Sequence, residues 1–317
     1  MTVETWSRAL PLALESPVRE EPFFSIVVPT YNRREQLTRC LTSLAGLDYP
    51  RDRFEVIVVN DGGAQPEAMI GSLGQELKVK LIYQQHAGVA AARNTGSAQA
   101  SGEFLAFTDD DCAPDPHWLE ALAQSLHTWP DHLIGGRTAN ALPHNLFSTA
   151  SQLLASYVYN YYNREPHAAR FFASNNMALS AERFRTIGGF DCTYTRAAAE
   201  DRELCDRWQY HGHHMTYVPE AVVYHAHELT FRTFWRQHFG YGRGAYQFHR
   251  ARALRRQARI KIEPPSFYTN LARYPWRGSQ THRPVLLACL LVLSQSANAA
   301  GFFWEMFNRT ERKNRET

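Results

Sequence analysis

The sequence is poor in cysteine and nearly balanced in charge. Its five cysteines (Cys40, Cys112, Cys192, Cys205 and Cys289) are odd in number, and none stands in a C-x-x-C pair. This weighs against a zinc knuckle or a disulfide framework and fits a reducing compartment. The 34 lysines and arginines against 31 acids leave only +3 over 317 residues, which argues against a uniformly basic nucleic-acid binder and against an acidic protein. No apolar run opens the chain: charges and prolines interrupt residues 1–22, unlike a signal peptide. There is no glycine-rich phosphate loop with an adjacent lysine near residue 30 and no evident internal repeat. What is present is 44% hydrophobic residues, enough at this length to build a core without covalent staples.

Apolar runs and turn residues place the elements. Phe24–Pro29 and Phe54–Asn60 read as buried strands, Lys78–Gln84 and Glu103–Thr108 as two more. Asn32 followed by Glu35 predicts a helix start, with Leu37, Cys40, Leu41 and Leu44 on one face and a stop at Gly46. Gly88–Ala100 predicts a small-residue helix, and another starts near Pro116. This alternation predicts an α/β fold with a mostly parallel sheet and ligands at the C-terminal ends of its strands. Further on, helices are expected over Phe147–Tyr162, Ala181–Ile187 and Glu200–Tyr210, and strands at Met177–Ser180 and Met215–Tyr224, the last with an edge or bulge at Pro219. Thr230–Arg259 reads as helix interrupted by Gly240, Gly242 and Gly244.

Polar clusters fall at the expected strand ends. Asp109, Asp110 and Asp111 repel one another unless a cation joins them, and Mg2+ or Mn2+ suits such oxygen donors. In an extended stretch Asp109 and Asp111 share a face and Asp110 points away; the bland alternative is an acidic loop. Asp61 is either an Asp-Gly turn residue or an acceptor for a nucleobase edge. Arg93 is an exposed helix residue, a partner of Asp61 or Asp109, or a phosphate ligand. Glu200 and Asp201 complement a helix dipole or supply a general base. His225 and His227 share one face of an extended chain, a spacing that suits a metal or phosphate, or are structural.

The segments Phe24-Ser-Ile-Val-Val-Pro-Thr-Tyr-Asn-Arg33, Val58-Val-Asn-Asp-Gly62, Phe107-Thr-Asp-Asp-Asp111, Gly188-Gly-Phe-Asp191 and Glu200-Asp201 with Arg207-Trp208 together resemble family 2 glycosyltransferases, in order and separation, over about residues 22–230. The resemblance implies a GT-A fold with a Rossmann-like nucleotide-binding first half, a nucleotide-sugar donor and a Mg2+ or Mn2+ cofactor. It implies Pro29, Tyr31 and Asp61 around the base, with Asp61 reading it, Arg93 near the base or diphosphate, and Asp110 beside the donor. Asp109 and Asp111 form the implied DxD metal pair, completed by His225 or His227. Asp201 is the implied base, with Glu200 its close alternative. Asn175, Asn176, Gly189, Asp191, Arg207 and Trp208 are expected on the acceptor side. Glu203 stands where processive synthases carry glutamine, and no array of membrane helices follows in this sequence. Both favour a single addition, and the resemblance further implies inversion and a sugar or lipid-linked acceptor in glycan, polysaccharide or glycolipid synthesis. A nucleotidyltransferase and a nucleic-acid binder are the alternatives, though no nucleic acid is expected as partner.

The expected organisation is an N-terminal arm (1–22), a catalytic domain (23–230, divided at 115/116 into donor and acceptor halves) and a helical extension (231–317). Between Leu229 and Ile262 nine basic residues (Arg232, Arg236, Arg243, Arg250, Arg252, Arg255, Arg256, Arg259, Lys261) occur with no acid, interleaved with aromatics. Setting those nine charges aside from +3 leaves −6 for the rest of the chain. Such a stretch suits a solvated helix or an anionic membrane face. Pro284–Trp304 carries no charge and is just long enough to span a bilayer; a helix buried in the protein or lying on the membrane is preferred. The expected location is cytoplasmic, at the inner face of the cell membrane.

Overall fold

The structure is a computed structural model describing residues 20–64, 77–194, 198–257, 260, 263–277 and 283–316, with side chains to 308. Residues 1–19 of the arm, Arg259 and Lys261 lie outside the described residues.

The first strand, β1 (Phe24–Thr30), is buried at all seven positions, as is β2 (Phe54–Asn60). Their side chains alternate between two core layers: Ile26, Val28, Val56 and Val58 face one, and Val27 faces another. α1 (Arg34–Ala45) covers the first layer with Leu37, Cys40, Leu41 and Leu44, each leucine contributing roughly 1.5–3 kcal/mol by area. β3 (Val79–Tyr83) extends the sheet beside β2. α2 (Val89–Ala98) lies close on the sheet because it is built of small residues: a Cβ on Gly96 would stand 2.5 Å from Val27 Cγ1. β4 (Phe104–Phe107), β5 (Cys112–Pro114) and α3 (Trp118–Thr128) complete this half.

β6 (Leu133–Asn140), α4 (Leu146–Tyr162), β7 (Met177–Ser180), α5 (Ala181–Thr186), α6 (Glu200–Tyr210) and β8 (Met215–His225) follow. The sheet order is β3-β2-β1-β4-β7-β6-β8-β5. The β3-β2-β1-β4 half and the β6-β8 pair are parallel; β7 runs antiparallel to β4 and β6, and β5 to β8. The β6–β8 register shifts between Gly136 and Arg137, where the partner jumps from Val218 to Val222, so Pro219 marks a bulge as expected.

The extension comprises α7 (Phe231–Arg255), α8 (Pro265–Arg273), a 3-10 turn (Tyr274–Trp276) and α9 (Pro284–Glu316). It packs on α4 through Phe234, Leu287 and Leu290 against Ala150, and through Phe267, Leu271 and Leu291 against Tyr157. By length and composition Pro284–Asn308 is long and apolar enough to cross a membrane, and 33% of its most apolar window is buried in the protein. Val285, Val292, Phe303, Trp304 and Phe307 are exposed.

Four expectations are corrected. The glycines of α7 do not interrupt it. A Cβ on Gly242 would stand 1.8 Å from the Asn298 carbonyl oxygen, and one on Gly301 would stand 2.0 Å from that of Phe239, so these glycines let α7 and α9 touch backbone to backbone. Asn32 is not the cap of α1: it adopts φ 56, and its Oδ1 accepts from the Ala64 N–H. Strand β6 was not foreseen, because Gly135-Gly136 breaks its β-former run. Those glycines receive the Phe172 ring and the Asn176 amide, where a Cβ would clash. Finally, part of the basic stretch is tied into the protein, while Arg232, Arg236 and Arg250 stay exposed. Arg243 pairs with Glu305 (2.7 Å), and Arg252, Arg255 and Arg256 pair with Asp206 (3.1, 2.6 and 3.0 Å), while Arg255 also reaches Glu203. All five cysteines are free.

Candidate active site

A cleft of about 1420 Å³ lies over the C-terminal ends of β1, β2 and β8 and the turn after β4. Its far wall is the extension, through Arg236, Gln237 and Tyr241 of α7 and Asn298 and Phe302 of α9.

At one end Pro29, Tyr31 and Asp61 line the cleft, joined by His86. The Tyr31 and His86 rings stack at 4.5 Å, leaving Tyr31 46% exposed toward the cleft. Asp61 is buried and fully engaged. Its Oδ1 accepts from Gln84 Nε2 (2.7 Å) and Ala87 N–H (2.8 Å), and its Oδ2 from Gly88 N–H (2.9 Å), with His86 Nδ1 at 2.9 Å. The carboxylate therefore shapes the loop that carries His86. His86 went unnoticed in the sequence, although it follows the C-terminal end of a parallel strand.

The acids 109–111 form a turn, Cys112 N–H donating to the Asp109 carbonyl at 3.1 Å. The expectation that Asp109 and Asp111 share a face therefore fails: it assumed an extended chain. Asp109 turns to Arg93 (2.6 Å). Asp110 accepts from Thr30 Oγ1 (2.7 Å) and Arg33 (3.2 Å). Burial first, and then its neighbouring acids, push its carboxyl up to about 6 against the pull of Arg33 and Thr30. Asp111 lies between Arg33 (2.9 Å) and His225 Nε2 (3.2 Å). Burial opposes its charged form, yet the His225 hydrogen bond and charge, with Arg33, hold it well below the ordinary carboxylate range. Arg33 was quoted in the sequence motif but given no role.

His225 and His227 do lie together, ring centroids 4.2 Å apart. Burial and then the His225 charge push His227 down to about 3, so its ring is neutral, and neither of its nitrogens has a hydrogen-bond partner. Carboxylate, imidazole and an unpartnered neutral imidazole form a donor set that fits a divalent cation. Asp111, Cys112 and His225 place donor atoms within 4.8 Å of one another; of these, the carboxylate suits Mg2+ or Mn2+ and the buried thiol suits neither.

Arg93 is 2% exposed and bridges Asp109 and Glu200 (2.9 Å), with its guanidinium 5.4 Å from the Phe190 ring centroid. Of the open readings, pairing with Asp109 is the one found. Glu200 is thus paired, and both it and Asp201 line the cleft; Asp201 accepts from the Arg202 N–H at 2.6 Å. Both begin α6 immediately after Ala199, which is held at φ 72 in the left-handed region. Arg93→Met removes the cation between two acids, one buried and one half-buried. It should lower unfolding free energy by about 3–5 kcal/mol, read from denaturant midpoints; an unchanged midpoint would refute the bridge.

On the expected acceptor side only Asn175 lines the cleft, where its Oδ1 accepts from Thr138 Oγ1 at 3.3 Å. Asn176 is fully buried and ties Trp118 Nε1 (2.9 Å) to the Arg137 and Ala221 carbonyls. Gly189 and Ile187 offer carbonyls to Arg207, which also pairs with Glu203 (2.8 Å). Asp191 accepts from the Thr193 N–H at 2.9 Å. Trp208 is wholly buried, and its indole N–H donates to the His214 carbonyl at 2.9 Å. These five lie outside the walls of the cleft.

The family model for glycosyl transferase family 2 matches residues 25–188, and that for the N-terminal domain of galactosyltransferase matches 155–229. Among curated proteins the chain is similar to the glycosyltransferase AglE of Haloferax volcanii, 36% identical over 125 residues (38% of this chain and 41% of that protein). It is also similar to the pre-mycofactocin glycosyltransferase of Mycobacterium tuberculosis, 31% identical over 237 residues (66% and 43%). The matched region thus spans less than half of either relative. Among solved structures it resembles the mannosyltransferase PcManGT of Pyrobaculum calidifontis in complex with GDP-Man and Mn2+ (TM-score 0.60, 20% identity, covering 88% and 76%). It also resembles S. aureus TarS 1-349 in complex with UDP-GlcNAc (TM-score 0.52, 17% identity, 91% and 92%). The fold is the GT-A fold expected from the sequence.

Proposed function

The chain belongs to the family 2 glycosyltransferases, and on that premise we propose that it transfers one sugar from a nucleotide-sugar donor to an acceptor hydroxyl with inversion, assisted by a divalent metal. The observation that carries this reading is that Asp111 and His225, Asp201, and the Tyr31–His86 pair all open on one cleft. Solved neighbours bound to GDP-Man with Mn2+ and to UDP-GlcNAc support the donor class.

The nucleobase rests against Pro29 and the Tyr31–His86 stack, on the loop that Asp61 holds. Mg2+ or Mn2+, when bound through Asp111, His225 and the adjacent His227, supplies charge neutralisation for the leaving diphosphate. Arg33 adds a fixed positive charge beside Asp110 and Asp111. Asp201 takes the acceptor hydroxyl proton as that oxygen attacks the anomeric carbon opposite the departing diphosphate. One bond forms, one breaks, and the configuration inverts without a covalent enzyme intermediate. We place the reaction in glycan, polysaccharide or glycolipid synthesis for the cell envelope, with a sugar or lipid-linked acceptor. The exposed apolar residues of α9 support contact with the inner face of the cell membrane.

A panel of nucleotide sugars assayed with and without Mn2+ tests this; no metal-dependent turnover or binding of any donor would sink it. Asp111→Ala should weaken Mn2+ activation by at least ~100-fold, the upper range for disturbing even an outer-shell partner of a metal. Titration of turnover against Mn2+ measures it, and an unchanged activation constant would move the metal elsewhere.

A further inference from the structure

A second cavity, of about 550 Å³, lies away from the catalytic cleft, between α4 and the Tyr274–Trp276 turn. Its walls are aromatic: Tyr157 and Tyr274 meet edge to face at 5.3 Å, and Tyr161 flanks them. Two of the polar side chains in its lining are already hydrogen-bonded. Tyr157 Oη donates to the Phe267 carbonyl at 2.7 Å, and Asn160 Nδ2 donates to Tyr274 Oη at 2.7 Å. Two guanidiniums remain, those of Arg164 and Arg277, both exposed.

Among the described residues neither arginine forms an ion pair, unlike Arg243, Arg252, Arg255 and Arg256 of the basic stretch. Arg164 stands over the Tyr161 ring, 5.5 Å from its centroid, which orients its fork. The nearby acid, Glu263, accepts hydrogen bonds from the hydroxyls of Tyr161 and Tyr162 and belongs to the wall of the catalytic cleft. A cavity with aromatic walls and two guanidiniums outside any ion pair among the described residues carries the charge and donors that a phosphate oxyanion needs. Trp276, 55% exposed, adjoins Arg277 in the chain and belongs to the same turn. That juxtaposition of an arginine pair and an exposed indole is the composition of a membrane-interface contact.

We propose that this cavity is a phosphate-binding site, separate from the donor site, in which Arg164 and Arg277 grip a phosphate ester. The chemistry is shared by an anionic lipid headgroup and a soluble phosphate, and it is independent of the transfer reaction proposed above. The test uses the full chain and the Arg164→Gln/Arg277→Gln double variant, with nucleotide-sugar binding and thermal melting as checks on folding. Flotation is measured with vesicles of equal parts phosphatidylglycerol and phosphatidylcholine, and with phosphatidylcholine alone; calorimetric titration uses inorganic phosphate.

Preferential binding of the wild type to the anionic vesicles, lost at least ~10-fold in the double variant, supports the site with lipid as its source. Phosphate binding that disappears in the folded double variant, without vesicle preference, supports the site with a soluble source. Arg164→Lys/Arg277→Lys keeps the charges but loses the forks, and should bind between the two. If the folded double variant binds both vesicles and phosphate as the wild type does, or the wild type binds neither, the proposal is overturned.

Discussion

Asp201→Asn lowers turnover by roughly 10²–10⁴-fold, the usual worth of a general base, while donor binding stays within a few-fold of wild type. Asparagine preserves the shape of the side chain and its hydrogen bond from the Arg202 N–H but cannot take a proton. Equal loss of donor binding in a titration with the nucleotide sugar would make Asp201 a binding residue; retained turnover would place the base elsewhere. The pH profile adds a second readout. Burial, and then the charge of Glu200, push the Asp201 carboxyl up to about 7. A base acts deprotonated, so kcat/KM should fall about tenfold per unit below pH 7 and level off above it. Glu200→Gln removes the like charge and should move that acid limb to lower pH. Because Glu200 is paired with Arg93, the variant is expected to shift the profile rather than erase activity. A limb that stays in place would show that Glu200 does not tune Asp201.

Asp206→Ala is expected to destabilise the protein by roughly 2–4 kcal/mol, somewhat below the value for breaking a fully buried pair because its arginine partners are partly exposed. Asp206 is almost wholly buried and answers Arg252, Arg255 and Arg256 together. Its loss leaves three guanidiniums converging on an empty position, with Glu203 nearby already shared by Arg207 and Arg255. A thermal melt should fall by about 5 °C or more, and the drop should be larger than that of any single arginine-to-alanine variant in the group. A melt within a degree of wild type would show that the network adds nothing.

The parts legible in the sequence were those whose cause is local. Phe24–Thr30 and Phe54–Asn60 are mostly apolar, Ser25 and Glu55 aside, because both sheet faces are covered, and their ends were found to the residue or nearly so. Leu37, Cys40, Leu41 and Leu44 announced their face by spacing alone. The acids lining the cleft were legible as a set, since Asp61 and Asp109–Asp111 follow strands and Asp201 lies in the first turn of a helix, but their partners were not. Arg93 meets Glu200 across 107 positions, and Asp206 meets Arg255 across 49. No periodicity encodes such meetings. The glycines of α7 misled for the same reason: Gly242 reads as a helix breaker until Asn298 is seen lying against it. The Asp109–Asp111 turn reversed an inference from strand geometry, because the strand β4 ends at Phe107.

The backbone contact of α7 with α9 also bears on how this protein can change over generations. Gly242 and Gly301 each admit a neighbouring carbonyl where any side chain would clash, and the same two helices wall the cleft. A tail recombined from a relative would have to match both the seam and the arginines that reach Asp206. Stepwise replacement of cleft-facing positions such as Arg236, Gln237 and Phe302 is therefore less disruptive to the fold than exchange of the tail as a module. Gly242 and Gly301 should accordingly vary little among homologues, while the positions beside them drift.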